Sequence, residues 1–308
     1  MIVVAGEALI DLVPEGGQAL YPRRGGGPYN TAVALARLGS ATAFCSRVST
    51  DAFGESLLAE LRTNGVDTGL VQRGPEPTTL AVASLGADGS AGYTFYTEGT
   101  ADRLFRLPEA LPEAARAVSF GTCSLVLEPG ATAYERMLRR ESARGLFTAL
   151  DPNIRAGLIP DPDAYRARFR GWLPDVRLLK LSAEDAEWLG GTPRDWLADG
   201  PSAVVVTRGG DGLSVHVQEA GEYREYHVPG HKVDVVDTIG AGDTVNAALL
   251  HRLAEAGAAS GPGTGPGLGG VDWPAVLDFA ARAAAVTCSR AGANPPTSAE
   301  VASFGERA

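Results

Sequence analysis

The chain is poor in the residues on which several enzyme classes depend. Its 308 residues include only two lysines, Lys180 and Lys232, and neither follows a glycine. A P-loop needs a lysine there to reach the terminal phosphates of a nucleotide, so that scaffold is excluded. A dinucleotide fold needs GxGxxG after its first strand, but VVAGEALID carries a single glycine. The three cysteines, Cys45, Cys123 and Cys288, are widely spaced and odd in number. They form neither a disulfide framework nor a CxxC metal site, and reduced thiols in a cytoplasm fit them best. The four histidines, His216, His227, His231 and His251, have no metal-ligand spacing. No run approaches the roughly 18 apolar residues of a membrane span. The opening MIVVAGEALIDLV has no basic leader and is interrupted by Glu7 and Asp11, so no signal peptide is expected there. Acidic residues outnumber basic ones by 37 to 27. The resulting formal charge of −10 repels nucleic-acid phosphates and anionic lipid, so neither nucleic acid nor membrane is an expected partner.

What is present reads as a globular α/β protein, with 44% hydrophobic and 21% charged residues. Strand-like runs alternate with helical patterns: IVVAGEALIDLV, TAVALARLG, ATAFCSRV, then FGESLLAELRTNG. Further strands are expected in RAVSFGTCSLV, GLFTALDPNI, VRLLKLS and SAVVVTRGG. The alternation predicts a doubly wound, mostly parallel sheet flanked by helices, with the site at the strand ends. Two regions, near 8–24 and 78–98, instead show short alternating strands and a hairpin turn at Asp88-Gly89. They predict a small antiparallel appendage, a lid over the sheet. The stretch GAASGPGTGPGLGG, 257–270, reads as a surface loop between two helices. No repeat or linker divides the chain, so residues 1–308 are expected to form one domain.

The strongest motif is DTIGAGDTVNAALL, starting at Asp237, where a glycine turn leads into an apolar helical pattern. With almost no side chains at Gly240, Ala241 and Gly242, a phosphate can approach their backbone N–H groups at the positive end of the helix. Asp243, in the first turn, then stands where it can accept a proton from an attacking hydroxyl. Taken alone, a GxGD is more often a tight turn with a helix cap.

The longer pattern D-T-x-G-A-G-D resembles the C-terminal signature of ribokinase-like (PfkB) sugar kinases, departing from it at Val245, where the family usually has Phe. GGGPYNTAVALARLG, starting at Gly25, resembles the other family signature. The resemblance puts Gly26, Gly27 and Asn30 against the sugar, and Asp11, after GEALID, on two of its hydroxyls. VVVTRGGDG resembles the nucleotide loop T-x-G-x-x-G, with Thr207, Gly209 and Gly212 in the matching places. TCSRAGANPP resembles the stretch bordering the adenine and a monovalent-cation loop, with Gly292 and Ala293 as candidates. Asp237 is the candidate ligand on the cation side. KLSAEDAEWL departs from the family's N-x-x-E: Ser182 and Asp185 fill those places, and Asp185 takes the outer-shell magnesium role. The resemblance thus implies ATP and Mg2+ as cofactors, K+ as a further ion, a small sugar as partner, and a homodimer through the lid edges.

Within the family, DPNIR (151–155) and GGGPYN are more similar to the fructokinase and 2-keto-3-deoxygluconate kinase branch, with Arg155 on the substrate side. The keto-acid kinases add an arginine after the FY pair to hold a carboxylate, and here FYTEG supplies Thr97. Without that charge-assisted contact a neutral ketose such as fructose is the expected substrate and the keto-deoxy acid the alternative, with Arg103 as a geometric substitute for the arginine. A catalytically silent sugar- or nucleotide-binding protein on the same fold is the alternative of a different class.

Overall fold

The computed structural model describes residues 1–14, 19–85, 91–219, 221–259 and 268–305. Its first strand, β1 (Ile2–Ala5), is buried at every position, as a parallel strand covered on both faces must be. The chain then leaves the centre through β2 (Leu9–Pro14) and β3 (Leu20–Gly25) and returns as α1 (Gly27–Arg37). There follow β4 (Thr42–Ser49), α2 (Ala52–Thr63), β5 (Val71–Gly74), β6 (Leu80–Leu85), β7 (Ala91–Tyr96) and β8 (Ala117–Gly121). Crossover units α3 (Gly130–Ala143), β9 (Phe147–Asp151), α4 (Pro162–Trp172) and β10 (Leu178–Ser182) come next. The remaining elements are α5 (Ala183–Leu189), α6 (Pro193–Asp199), β11 (Ala203–Thr207), β12 (Leu213–Glu219), β13 (Glu222–Val228), α7 (Ala241–Glu255), α8 (Trp273–Cys288) and α9 (Ser298–Gly305).

Nine strands make the main sheet in the order β13-β12-β11-β10-β9-β8-β1-β4-β5. All neighbours pair in parallel except β12 and β13, an antiparallel edge hairpin that the strand reading did not include. Helices α1, α2, α7, α8 and α9 cover one face around Leu35, Phe44, Leu58, Leu250 and Trp273. Helices α3 to α6 cover the other around Tyr134, Phe169, Trp172 and Trp196. Removing one such ring, as in Phe169→Ala, costs about 3 to 5 kcal/mol. The chain builds β4 and β5 on one side of β1 and β8 to β11 on the other. The crevice at the carboxyl end of β1 is therefore the topological switch point where open α/β sheets bind ligands.

The expected appendage is a second sheet of order β3-β2-β6-β7. Its outer pairs are antiparallel, but the central pair is parallel, with Ile10 opposite Leu80 and Leu12 opposite Val82. The expectation of an all-antiparallel lid is corrected here for a simple reason: two hairpins meet through their first strands, and both of those run the same way. The Asp88-Gly89 turn, residues 15–18 of the first lid segment and residues 260–267 of the glycine-proline stretch lie outside the described residues.

Candidate active site

Helix α7 starts without a side-chain cap. Its N-cap is Gly240, at a left-handed φ of 77° that a side chain adopts only at a cost. A Cβ there would also lie 2.8 Å from that of Ala293, so two independent constraints hold this position to glycine. The third helical residue is Asp243, only 8% exposed. Its Oδ2 accepts a hydrogen bond from Asn30 Nδ2 at 2.8 Å. Burial pushes the Asp243 carboxyl up to about 6, against the pull of the Asn30 donor. At neutral pH it is ionised and poised near the value of an effective base.

The start of α1 meets the start of α7. A Cβ on Gly27 would lie 2.5 Å from Thr122 Oγ1, 3.1 Å from Asn153 Nδ2 and 3.3 Å from Asp243 Oδ1. Only glycine lets the ends of β8 and β9 and the two helices converge this closely. Thr122 and Asn153 themselves hold positive φ angles, 59° and 40°. Such residues cost about 1 to 3 kcal/mol each and collect at functional sites.

Two cavities of about 250 Å³ each flank this point. One is polar: Asp11, Gly26, Gly27, Asn30, Asn153, Arg155 and Asp243 line it, with Tyr93 and Phe95 from the second sheet. Burial pushes Asp11 up to about 6, and Arg155 pulls it down. Arg155 is fixed by donating to Asn153 Oδ1 and O, at 2.8 and 3.0 Å. The other cavity is more apolar, lined by Thr207, Gly209 and Gly212 and walled by Val235, Ala281 and Ala285. Thr238 and Gly242 line both. The turn before Asp243 is thus a partition between a polar and a more apolar space.

Five expected residues line neither cavity. Gly292 and Ala293 line neither of these cavities but a groove of about 440 Å³ between lid and body, with Asp11, Arg23 and Tyr29. Their link to the turn before Asp243 is structural, Gly292 N donating to Asp237 Oδ2 at 2.9 Å and Ala293 packing on Gly240. Asp237 also accepts from Ile239 N through Oδ1, so it ties two loops together. Asp185 Oδ1 accepts from Ile154 N at 2.7 Å, and Oδ2 accepts from Ser182 N at 3.0 Å, closing a capping box on α5. Arg103 donates to Thr97 O, Glu98 and Glu128 O, and it lines none of the three spaces just described.

Other site residues escaped the sequence reading. Glu7 lines the polar cavity with a buried, unpartnered Oε1, its carboxyl pushed by burial up to about 7. Lys180 Nζ donates to Asp151 Oδ2 at 2.8 Å, both side chains buried beside the partition. The available signal was a lysine inside the apolar run LLKLS of a buried strand. For Thr122 no sequence pattern exists, because its strain is set by the convergence of four elements.

Among curated proteins the chain is similar to a fructokinase of Rhizobium leguminosarum bv. trifolii, 39% identical over 266 residues, 82% of this chain and 79% of that one. Among solved structures it is similar to the fructokinase of Xylella fastidiosa with bound ATP, with a TM-score of 0.87 and 28% identity, covering 99% of this chain and 98% of that one. A fructokinase from Vibrio cholerae O395 in a fructose-, ADP- and calcium-bound form gives a TM-score of 0.83 at 25% identity, covering 98% of each chain. The model of the pfkB family carbohydrate kinases matches residues 1–300, and the chain belongs to that family of ATP-dependent sugar kinases.

Proposed function

We propose that this kinase is a fructokinase, in which residues 1–308 work as one domain whose lid segments, 8–24 and 78–98, cover the sugar. The observation that carries the reading is the shared wall. Gly242 and Thr238 separate the polar cavity from the nucleotide cavity, and Asp243 stands at the join. A hydroxyl in the first space then faces a phosphate in the second, which is what in-line phosphoryl transfer requires. Asp11 and Asn30 hold sugar hydroxyls, Arg155 orders the pocket rim, and Gly26 and Gly27 admit the sugar to close contact. Asp243 takes the hydroxyl proton while the N–H groups of Gly240 and Gly242 receive the phosphate, Ala241 N donating instead to Thr238 O at 3.2 Å within the turn. Thr207, Gly209 and Gly212 border the nucleotide.

Among the described residues no cluster of three or more acidic, histidine or cysteine side chains could cage a metal ion. This fits magnesium, which is commonly held by substrate phosphates and water with one or two carboxylates. When bound it would neutralise the phosphates. Asp185 has both oxygens on backbone donors, so its part is through water and its remaining lone pairs. Asp237, spanning two loops, is the group beside which a monovalent cation such as potassium would sit. The three cysteines form no disulfide, in keeping with a reducing cytoplasm. Exposed Leu20, Tyr21 and Tyr96 on the outer lid strands β3 and β7 support a homodimer formed there.

A neutral ketose is favoured over a keto-deoxy acid because Thr97 carries no charge and Arg103 is held by other acceptors. ADP release assayed with fructose, 2-keto-3-deoxygluconate and nucleosides tests this. Fructose should give the highest kcat/KM, and a higher value for the keto acid would overturn the ranking.

A further inference from the structure

Lys180 has no task in the mechanism so far. It is 4% exposed near the carboxyl end of β10, whereas the chain's other lysine, Lys232, is exposed. Its ion pair with Asp151 is only partly satisfied, because Asp151 Oδ1 is buried without a hydrogen-bond partner. A buried ion pair is seldom more stable than apolar packing of the same volume, so stability alone does not account for it. Its position suggests what does. A Cβ on Gly242 would lie 3.2 Å from Lys180 Nζ, and Gly242 belongs to the wall between sugar and nucleotide cavities. Burial lowers the pKa of the ammonium, but Asp151 more than offsets this and the net direction is upward, so it is charged at neutral pH.

We propose that Lys180 is a further catalytic residue, donating from beneath Gly242 to the γ-phosphoryl group in flight, with Asp151 as the positioning residue that holds the ammonium. The proposal rests on the kinase reading above. In the step, the sugar hydroxyl oxygen forms a bond to the γ-phosphorus. The bond from that phosphorus to the bridging oxygen breaks, its electron pair leaving on ADP, and the hydroxyl proton goes to Asp243. Lys180 keeps its proton throughout. It offsets the negative charge of the equatorial oxygens, which the glycine N–H groups alone meet only as dipoles.

Lys180→Met removes the charge but strands Asp151 in the core, so the deciding protein is the double variant Lys180→Met/Asp151→Asn, which buries no unpaired charge. Three quantities are measured: kcat with the sugar that wild type phosphorylates fastest, melting temperature, and calorimetric affinities for magnesium-ADP and a magnesium-bound non-hydrolysable ATP analogue. We expect kcat to fall by about 10² to 10³, the loss typical of removing one preorganised donor. The analogue should lose at least about tenfold more affinity than ADP, since only it carries the γ-phosphate. A merely structural pair would lower the melting temperature, leave kcat within about threefold and affect both nucleotides equally, and that result overturns the proposal. Should wild type phosphorylate no sugar, the proposed function fails and the nucleotide comparison decides by itself. A selective loss for the analogue upholds the Lys180 contact, and an equal loss removes it.

Discussion

Helices α5 and α7 carry an aspartate at the same place, the third helical residue, and use it in opposite ways. In α5 the N-cap is Ser182, whose Oγ accepts from Asp185 N at 3.0 Å while the Asp185 carboxylate reaches back to Ser182 N. The box is closed, and a cap of this kind contributes about 1 kcal/mol to stability. In α7 the N-cap is Gly240, which has no side chain to offer, and Asp243 turns instead to Asn30 across the cavity. The helix forgoes its own cap and leaves its terminus available to an anion. Replacing S-A-E-D by G-A-G-D exchanges a closed, fold-stabilising terminus for an open one.

The comparison breaks most visibly at Asp243. Asp243→Asn keeps size and a hydrogen-bonding oxygen but cannot accept the hydroxyl proton, so kcat should fall by ~10² to 10⁴, about 3 to 5 kcal/mol of barrier. Melting temperature and ATP affinity should change little. The proposed base must be ionised to act, and burial pushes the Asp243 carboxyl up to about 6. Activity is therefore full above that value and falls as pH drops through it. Because Asp11 is also raised to about 6, kcat/KM should fall more steeply than kcat on the acid side. A variant with near wild-type kcat, measured by ADP release across pH 5 to 8 (about the range set by these groups), would leave Asp243 no part in proton transfer.

A second substitution separates stability from activity within α7. Gly242→Ala adds helix propensity of roughly 0.5 to 1 kcal/mol at a residue whose φ is not positive. Yet the new methyl stands in the partition, 3.2 Å from Lys180 Nζ. Melting temperature should hold or rise while kcat/KM for ATP falls by about tenfold, an effect worth ~1.4 kcal/mol. Activity unchanged in the alanine variant would show that the phosphate does not approach this backbone.

Much of this was legible in the sequence where one local rule decides the outcome. Apolar runs such as AVVVT became buried parallel strands, and the glycine pairs at 26–27 and at 240 and 242 became uncapped helix starts. Asp11, Asn30, Arg155 and Asp243, chosen from motifs far apart in the chain, line one cavity. What stayed hidden depends on several segments at once. The parallel β2–β6 pair follows from how two hairpins meet, not from either hairpin. Gly292 and Ala293 sit close to the turn before Asp243 in space, yet they line a third groove rather than either cavity. The two lysines excluded a P-loop because a P-loop lysine follows a glycine in sequence, whereas Lys180 meets Gly242 only across the fold.

The smallest expected effect tests the closed side of the comparison. Ser182→Ala deletes the hydroxyl that accepts from Asp185 N but leaves the Asp185 carboxylate on Ser182 N and Ile154 N. Losing an N-cap serine costs about 0.5 to 2 kcal/mol, so the protein should melt a few degrees lower. If α5 serves the fold, kcat at saturating magnesium should stay within about twofold of wild type, since uniform stability losses do not enter the barrier of folded enzyme. The magnesium concentration giving half-maximal rate is the sharper readout. A rise in it, with kcat restored by excess magnesium, would mean that the capping box also sets the outer-shell carboxylate. The closed terminus of α5 and the open one of α7 would then be two walls of the same phosphate site.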